Sequence, residues 1–213
     1  NAIPFDLVAN DDLSPLPDAA GVIHMVGAKF GAGNNPSWAW EINAALPDRV
    51  ARRYRTSRIV TLSTGNVYPC VTPGSGGAPE PIGEYAQSCL GRERVFGFAA
   101  RTWGIPLSVI RLNYAIDLRY GVLADIATLI VVGEPVPITI GHVNVVWQGY
   151  ANEVVLRSLT HASPEVFTIN LTGPELLEVR DVAHRFAELL GTDARFTGSP
   201  GPTALLSDST RCM

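Results

Sequence analysis

The chain has 213 residues with a formal net charge of −4 and a pI near 5.5, which argues against a nucleic-acid or anionic-membrane surface. Apolar residues make up 46% and charged residues 17%, enough for one folded core or a core with a small lobe. Three cysteines, Cys70, Cys89 and Cys212, show neither metal-ligand spacing nor an even disulfide set, so a reducing cytoplasm and no metal site are expected.

Short apolar runs alternate with helix-period stretches in the middle of the chain, the pattern of βαβ units around a parallel sheet. Residues 21–26 read as a buried strand closed by Gly27. Helical spacing predicts a helix over 37–54, with Ser37 as N-cap and Pro47 as an internal kink or break. A strand is predicted over 58–62, a helix over 85–103 and a strand over 107–112. Further on, 120–132 reads as a helix ending at Gly133, and 142–147 and 166–171 as short strands. Residues 176–190 form an amphipathic pattern stopped by Gly191, and 197–202 are rich in Gly and Pro. The longest apolar run, 126–132, is too short to span a bilayer. The opening Asn1-Ala-Ile-Pro-Phe5 lacks the basic and apolar parts of a signal peptide, so no membrane association is expected.

The strand at 58–62 runs into Ser63-Thr64-Gly-Asn-Val-Tyr68, and Tyr85 opens the next helix. A strand-tip hydroxyl beside a helix-borne tyrosine is the polar half of a hydride-transfer site. The phenol exchanges a proton with a substrate hydroxyl or carbonyl while the second hydroxyl holds the substrate oxygen. These residues resemble the extended short-chain dehydrogenase/reductase family, the sugar-nucleotide epimerases and dehydratases. Their strand reads S-S/T-x-x-V-Y-G and their helix opens Y-x-x-x-K. Cys89 stands at the lysine position.

The resemblance implies an α/β fold: a Rossmann-like, doubly wound parallel sheet with a small C-terminal substrate-binding lobe. Residues 1–113 would form the dinucleotide-binding portion. Residues 114–213 would supply the lobe and return elements to the main domain. Tyr85, Thr64 and Ser63 are the implied catalytic residues, NAD or NADP the cofactor, and a nucleotide sugar or similar small molecule the substrate. Family dehydratases carry an acidic pair after the threonine. Gly65 and Asn66 stand there instead, which counts against sugar 4,6-dehydration and places Asn66 among the substrate contacts.

The family lysine lowers the tyrosine pKa from about 10 and bonds the nicotinamide ribose. A neutral Cys89 thiol does neither. Arg92 lies two helical turns from Tyr85, about 20° off its face, and side chains lean toward the helix N-terminus. Arg92 is therefore the candidate replacement cation; alternatively, Arg92 and Arg94 form a solvated face. The segment Val22-Ile-His-Met-Val-Gly-Ala-Lys29 resembles the fourth strand of UDP-galactose 4-epimerases, where a lysine lies near the cofactor pyrophosphate. Gly27, Ala28 and Lys29, the only lysine beside fifteen arginines, are accordingly cofactor-side candidates. Asn43 matches the family asparagine that braces the active-site strand and joins the cofactor-binding set. Asn113 and Tyr114 are candidates for the nicotinamide and substrate side, and Arg119 and Gln148 for a phosphate or sugar. His24, mid-strand, reads as a hydrogen-bonded buried group.

Nothing before Gly21 matches a Gly-rich pyrophosphate turn, so the chain is expected to begin near the family's third strand and to cover about two-thirds of a complete member. Two functions compete. One is an NAD(P)-dependent oxidoreductase or isomerase of the epimerase/dehydratase type. The other is a non-catalytic dinucleotide-binding sensor or scaffold. The resemblance also implies a homodimer, paired through the helices at 37–54 and 85–103.

Overall fold

The computed structural model describes residues 2–29, 33–74 and 77–212. It opens with β1 (Gly21–His24), α1 (Pro36–Trp40), a π-helical turn (Glu41–Ala45) and α2 (Leu46–Arg53). Next come β2 (Arg58–Thr64), a 3-10 turn (Gly65–Val67), α3 (Gly83–Trp103), β3 (Leu107–Leu112) and β4 (Ala115–Ile116). Then follow α4 (Val122–Val132), β5 (Val136–Pro137), β6 (His142–Val143), β7 (Val146–Trp147) and α5 (Gln148–His161). β8 (Phe167–Leu171), β9 (Leu177–Glu178), α6 (Val179–Leu190) and β10 (Phe196–Thr197) complete the order.

The chain forms two compact units. The first comprises Asn1–Val67, Pro81–Arg111 and Val155–Thr168; the second comprises Tyr68–Glu80, Leu112–Val154 and Ile169–Met213. A parallel sheet runs in the order β1-β2-β3-β8, with Val22 opposite Ile59 and His24 opposite Thr61. Buried on both faces, β2 reads as an unbroken apolar run rather than an alternating one. Around it the first core gathers Leu46, Val50, Ile59, Phe96, Ile105, Leu107 and Val109, each worth roughly 1.5–3 kcal/mol on burial. In the second unit α4 and α6 pack through Ile126, Ile130, Ala183 and Ala187, with Val136 and Ile138. Three two-stranded pairings, β4 with β7, β6 with β9 and β5 with β10, complete it.

Several boundaries move for identifiable reasons. Asn35, not Ser37, caps α1: its Oδ1 accepts from the Trp38 N–H at 3.1 Å, and Pro36 fills the first turn. Pro47 does not end the helical stretch, but the α-helical pattern is interrupted just before it. Proline lacks an N–H and its ring crowds the carbonyl four residues back. The preceding turn widens to a π-helix, with the Leu46 N–H reaching Glu41 O, and Pro47 falls in the first turn of α2. β1 stops at His24, leaving Met25 exposed, whereas β2 continues through Ser63 and Thr64. α3 starts at Gly83 and ends where Gly104 takes the left-handed conformation (φ 69°). The span 142–147 divides into β6 and β7, whose partners are β9 and β4. Helix α5 had no counterpart among the elements expected from the linear pattern. Among the described residues, no helix is long and apolar enough to cross a membrane.

Candidate active site

β2 delivers Thr64 at its end and α3 delivers Tyr85 in its first turn. The Tyr85 phenol lies near enough to the Thr64 side chain, and to the Cys89 thiol one turn along the helix, for both to act on its proton affinity. Thr64 is held by the turn that follows it. Its hydroxyl donates to Asn66 Oδ1 at 3.0 Å and accepts from the Asn66 N–H at 3.2 Å. Asn66 is thus committed locally, one step from the phenol.

Arg92, a further turn along α3, is only 5% exposed, whereas Arg94 is exposed; the two do not form one solvated face. Its Nη1 donates to Leu62 O at 2.6 Å, and its Nη2 donates to Asn43 Oδ1. The Nε–H has no partner among the described residues. Gly27 lies against this guanidinium: a Cβ there would sit 2.7 Å from Nη2, so only glycine lets the backbone approach so closely. Burial pushes the Tyr85 phenol above its ordinary value, and Cys89 pushes the same way. Thr64, and to a lesser extent Arg92, oppose them. Burial also pushes the Cys89 thiol up, opposed first by Arg92. Arg92 itself is pushed down by burial, with Cys89 and Tyr85 opposing; arginine remains a cation through such shifts.

Asn43, presented by the π-helical turn, is fully buried. Its Nδ2 donates to Ala28 O and Ser88 Oγ, both at 2.9 Å, and its Oδ1 accepts from the Ala28 N–H at 2.9 Å and from Arg92. Both amide protons and both lone pairs are spent on bracing. The brace fixes buried Ala28 between Gly27 and Lys29, which are exposed.

A second network escaped the sequence reading. Glu93, buried beside Arg92, accepts from Ser63 Oγ at 2.5 Å and receives Arg111 in a two-pronged contact, Nη2 to Oε2 at 2.7 Å and Nε to Oε1 at 3.0 Å. Ser63 therefore faces Glu93, not Tyr85. The available signal was Arg111, a charged residue within the apolar run 107–112; Glu93, in the charged stretch 92–94, carried none. Arg92 and Glu93 together grip the end of β2, one through Leu62 O and the other through Ser63.

His24 is buried edge-on to Phe96, ring centroids 5.3 Å apart, but its Nε2 has no partner among the described residues. The expected hydrogen bond at that nitrogen is not made. Burial first, and Arg92 second, hold its pKa down at about 3, so the ring is neutral.

The remaining candidates belong to the second unit. Asn113 is buried, and its Nδ2 donates to Asn144 Oδ1 at 2.9 Å. Tyr114 is half-exposed with φ 44°, a left-handed conformation uncommon for a bulky residue. Arg119 is exposed and paired with Asp117, Nε to Oδ1 at 3.0 Å. Gln148 opens α5, with its Oε1 buried and without a partner among the described residues.

No protein-family model and no curated protein matches this chain. Solved structures do. UDP-N-acetylglucosamine 4-epimerase from Methanobrevibacter ruminantium, in complex with UDP-N-acetylmuramic acid, superposes with a TM-score of 0.81 at 15% identity. That match covers 99% of this chain and 74% of the other. RMD from Pseudomonas aeruginosa, complexed with NADPH, gives 0.76 at 19%, covering 93% and 75%. UDP-glucose 4-epimerase from Thermus thermophilus, with NAD, gives 0.68 at 20%, covering 86% and 66%. The fold is thus the Rossmann-like α/β fold of these proteins, and the chain spans about two-thirds to three-quarters of their length.

Proposed function

We propose that this chain is the core of an NAD(P)-dependent enzyme of the extended short-chain dehydrogenase/reductase family, epimerase/dehydratase type, acting on a nucleotide sugar or a similarly hydroxylated small molecule. The observation that carries this reading is the Tyr85 phenol brought beside the Thr64 side chain by α3 and β2, with the buried Arg92 cation electrostatically coupled to it. The structurally similar proteins that hold NAD or NADPH share this fold, and the residues here suit such a cofactor. Gly27 and Lys29 are exposed on the turn after β1, and Arg92 beneath them keeps an unpartnered Nε–H among the described residues. Lys29 and the exposed Gly27 backbone would take the phosphate side, with Ala28 between them held by Asn43. When bound, NAD or NADP supplies the acceptor and donor of hydride.

In this reading the Tyr85 oxygen takes the proton from a substrate hydroxyl, or returns it to a carbonyl, and Thr64 Oγ1 holds the same substrate oxygen. Arg92 stands where a cation is needed, as a fixed charge that does not titrate. Its lowering effect is smaller than the raising effects of burial and Cys89. The phenolate is therefore scarce at neutral pH, and turnover should climb about tenfold per pH unit toward an alkaline limb above the ordinary phenol range. Asn66, Asn113, Tyr114, Arg119 and Gln148 remain candidates for substrate or nicotinamide contacts.

Cofactor reduction followed against pH with UDP-sugars tests this. Tyr85→Phe should lose roughly 10²–10⁴-fold of the rate. Cys89→Lys should move the alkaline limb to lower pH, and Arg92→Ala should move it higher. Turnover that survives Tyr85→Phe would refute the catalytic assignment. The raised Tyr85 pKa favours a second reading, a dinucleotide-binding protein without turnover. Cofactor binding in wild type, with no activity even in Cys89→Lys, would select it. We further read the protein as a cytoplasmic homodimer pairing through α1–α2 and α3, where Trp38, Trp40 and Phe98 are exposed. A monomeric mass by light scattering would contradict the pairing.

A further inference from the structure

Along the C-terminal half of α3 lies an open groove of about 500 Å³, walled by Arg94, Gly97 and Arg101 from the helix, Arg111 from β3, and the chain from Pro164 to Thr168. That volume lies in the range of small-ligand sites, roughly 300–1,000 Å³. Arg94 and Arg101 flank Gly97 at helical spacings of three and four, so their guanidinium groups overhang one floor. That floor is open because residue 97 has no side chain: a Cβ there would meet only Arg101 Nη1, at 3.7 Å. Both arginines are exposed, and neither has a hydrogen bond or ion pair among the described residues. The acids of the groove are Glu165, at the exposed rim, and Glu93, whose carboxylate is already engaged by Ser63 and Arg111. On the facing wall Val166 is held at φ 59°. For a β-branched residue this is an outlier costing on the order of 1–3 kcal/mol, of the kind that gathers at ligand clamps.

We propose that this groove binds a small, multiply charged anion, phosphorylated or polycarboxylate, between Arg94, Arg101 and Arg111, and that its occupancy is transmitted through Glu93 to the Ser63–Thr64 end of β2. Two guanidinium groups with unused forked donors match a phosphate or carboxylate in charge and shape. The third, Arg111, is shared between groove and network. It lines the groove, and it also neutralises the carboxylate that holds Ser63. An anion that draws Arg111 outward leaves Glu93 less neutralised and loosens the grip on β2 one residue before Thr64. Only this coupling leans on the functional reading above; the binding site itself does not.

The probes are inorganic phosphate, pyrophosphate and citrate, titrated into the full chain at constant ionic strength, with calorimetry and the arginine Nε–Hε resonances as readouts. Saturable binding is expected, weakened at least about tenfold in the Arg94→Ala/Arg101→Ala variant, whose exposed positions leave the core intact. The tighter of the phosphate and citrate arms identifies the anion's chemistry. Absence of saturable binding, or binding indifferent to the double substitution, overturns the site. For the coupling, the Tyr85 phenol is titrated spectrophotometrically against a Tyr85→Phe reference, with and without anion. Saturating anion should move the titration upward in wild type and leave Ser63→Ala unmoved. An unmoved wild-type titration overturns the coupling. Because this readout needs no turnover, a failure of the enzymatic reading would show separately, in the activity assay alone.

Discussion

Each unit buries a polar cluster, and the two are built from different chemistry. In the first, Arg92 and the Glu93–Arg111 ion pair are held with Asn43 and Ser63. In the second, Asn113, Asn144, Leu205 and Ser207 are linked by neutral amide and backbone bonds only, Asn144 Nδ2 donating to Ser207 O at 2.7 Å. A neutral amide network ties loops together without projecting a field. Enclosed charges do both, shifting the protonation of whatever lies beside them. Tyr85, Cys89 and His24 all carry shifts in which Arg92 takes part. The candidate chemistry therefore sits with the charged cluster.

The contrast can be broken most directly by truncation. Glu93→Ala strands Arg111 and Ser63 without their common acceptor. Removing one partner of a buried ion pair costs about 3–5 kcal/mol. Asn113→Ala removes a neutral donor and should cost only about 1–3 kcal/mol. Urea unfolding of the two variants measures the difference, and equal losses would erase the distinction between the clusters.

Acid sharpens it in a second way. His24 has a folded pKa of about 3 against about 6.5 in an unfolded chain, so between those values the unfolded state binds the extra proton. The stability contribution is complete above pH 6.5 and is lost as pH falls toward 3, at about 1.4 kcal/mol per pH unit. By pH 5 the loss should reach about 2 kcal/mol. His24→Gln should flatten this dependence, measured as unfolding free energy against pH. A wild-type curve flat between pH 6.5 and 4 would contradict the buried, neutral ring.

On the phenol titration Asn113→Ala gives the smallest effect: it should leave Tyr85 where it is in wild type, which Glu93→Ala should not.

The linear pattern determined the strand–helix alternation. Three apolar runs became β1, β2 and β3 in adjacent positions, because period and β-branched content are local properties that burial in a parallel sheet rewards directly. It also determined the helix stops at Gly104, Gly133 and Gly191, where only glycine accepts the left-handed turn without strain. The spacing of Thr64, Tyr85 and Arg92 marked the candidate site, since residues seven apart on a helix share a face whatever it packs against. Tertiary structure alone decided the rest. Whether Arg92 met water or the interior depended on Gly27 and Asn43, which arrive from elements far away in the chain. Ser63 turned to Glu93 because β3 brought Arg111 to the same carboxylate. The direction of the Tyr85 shift followed from how deeply the helix start was buried. Charge and burial depend on neighbours in space, and one sequence read along its length specifies those only after it has folded.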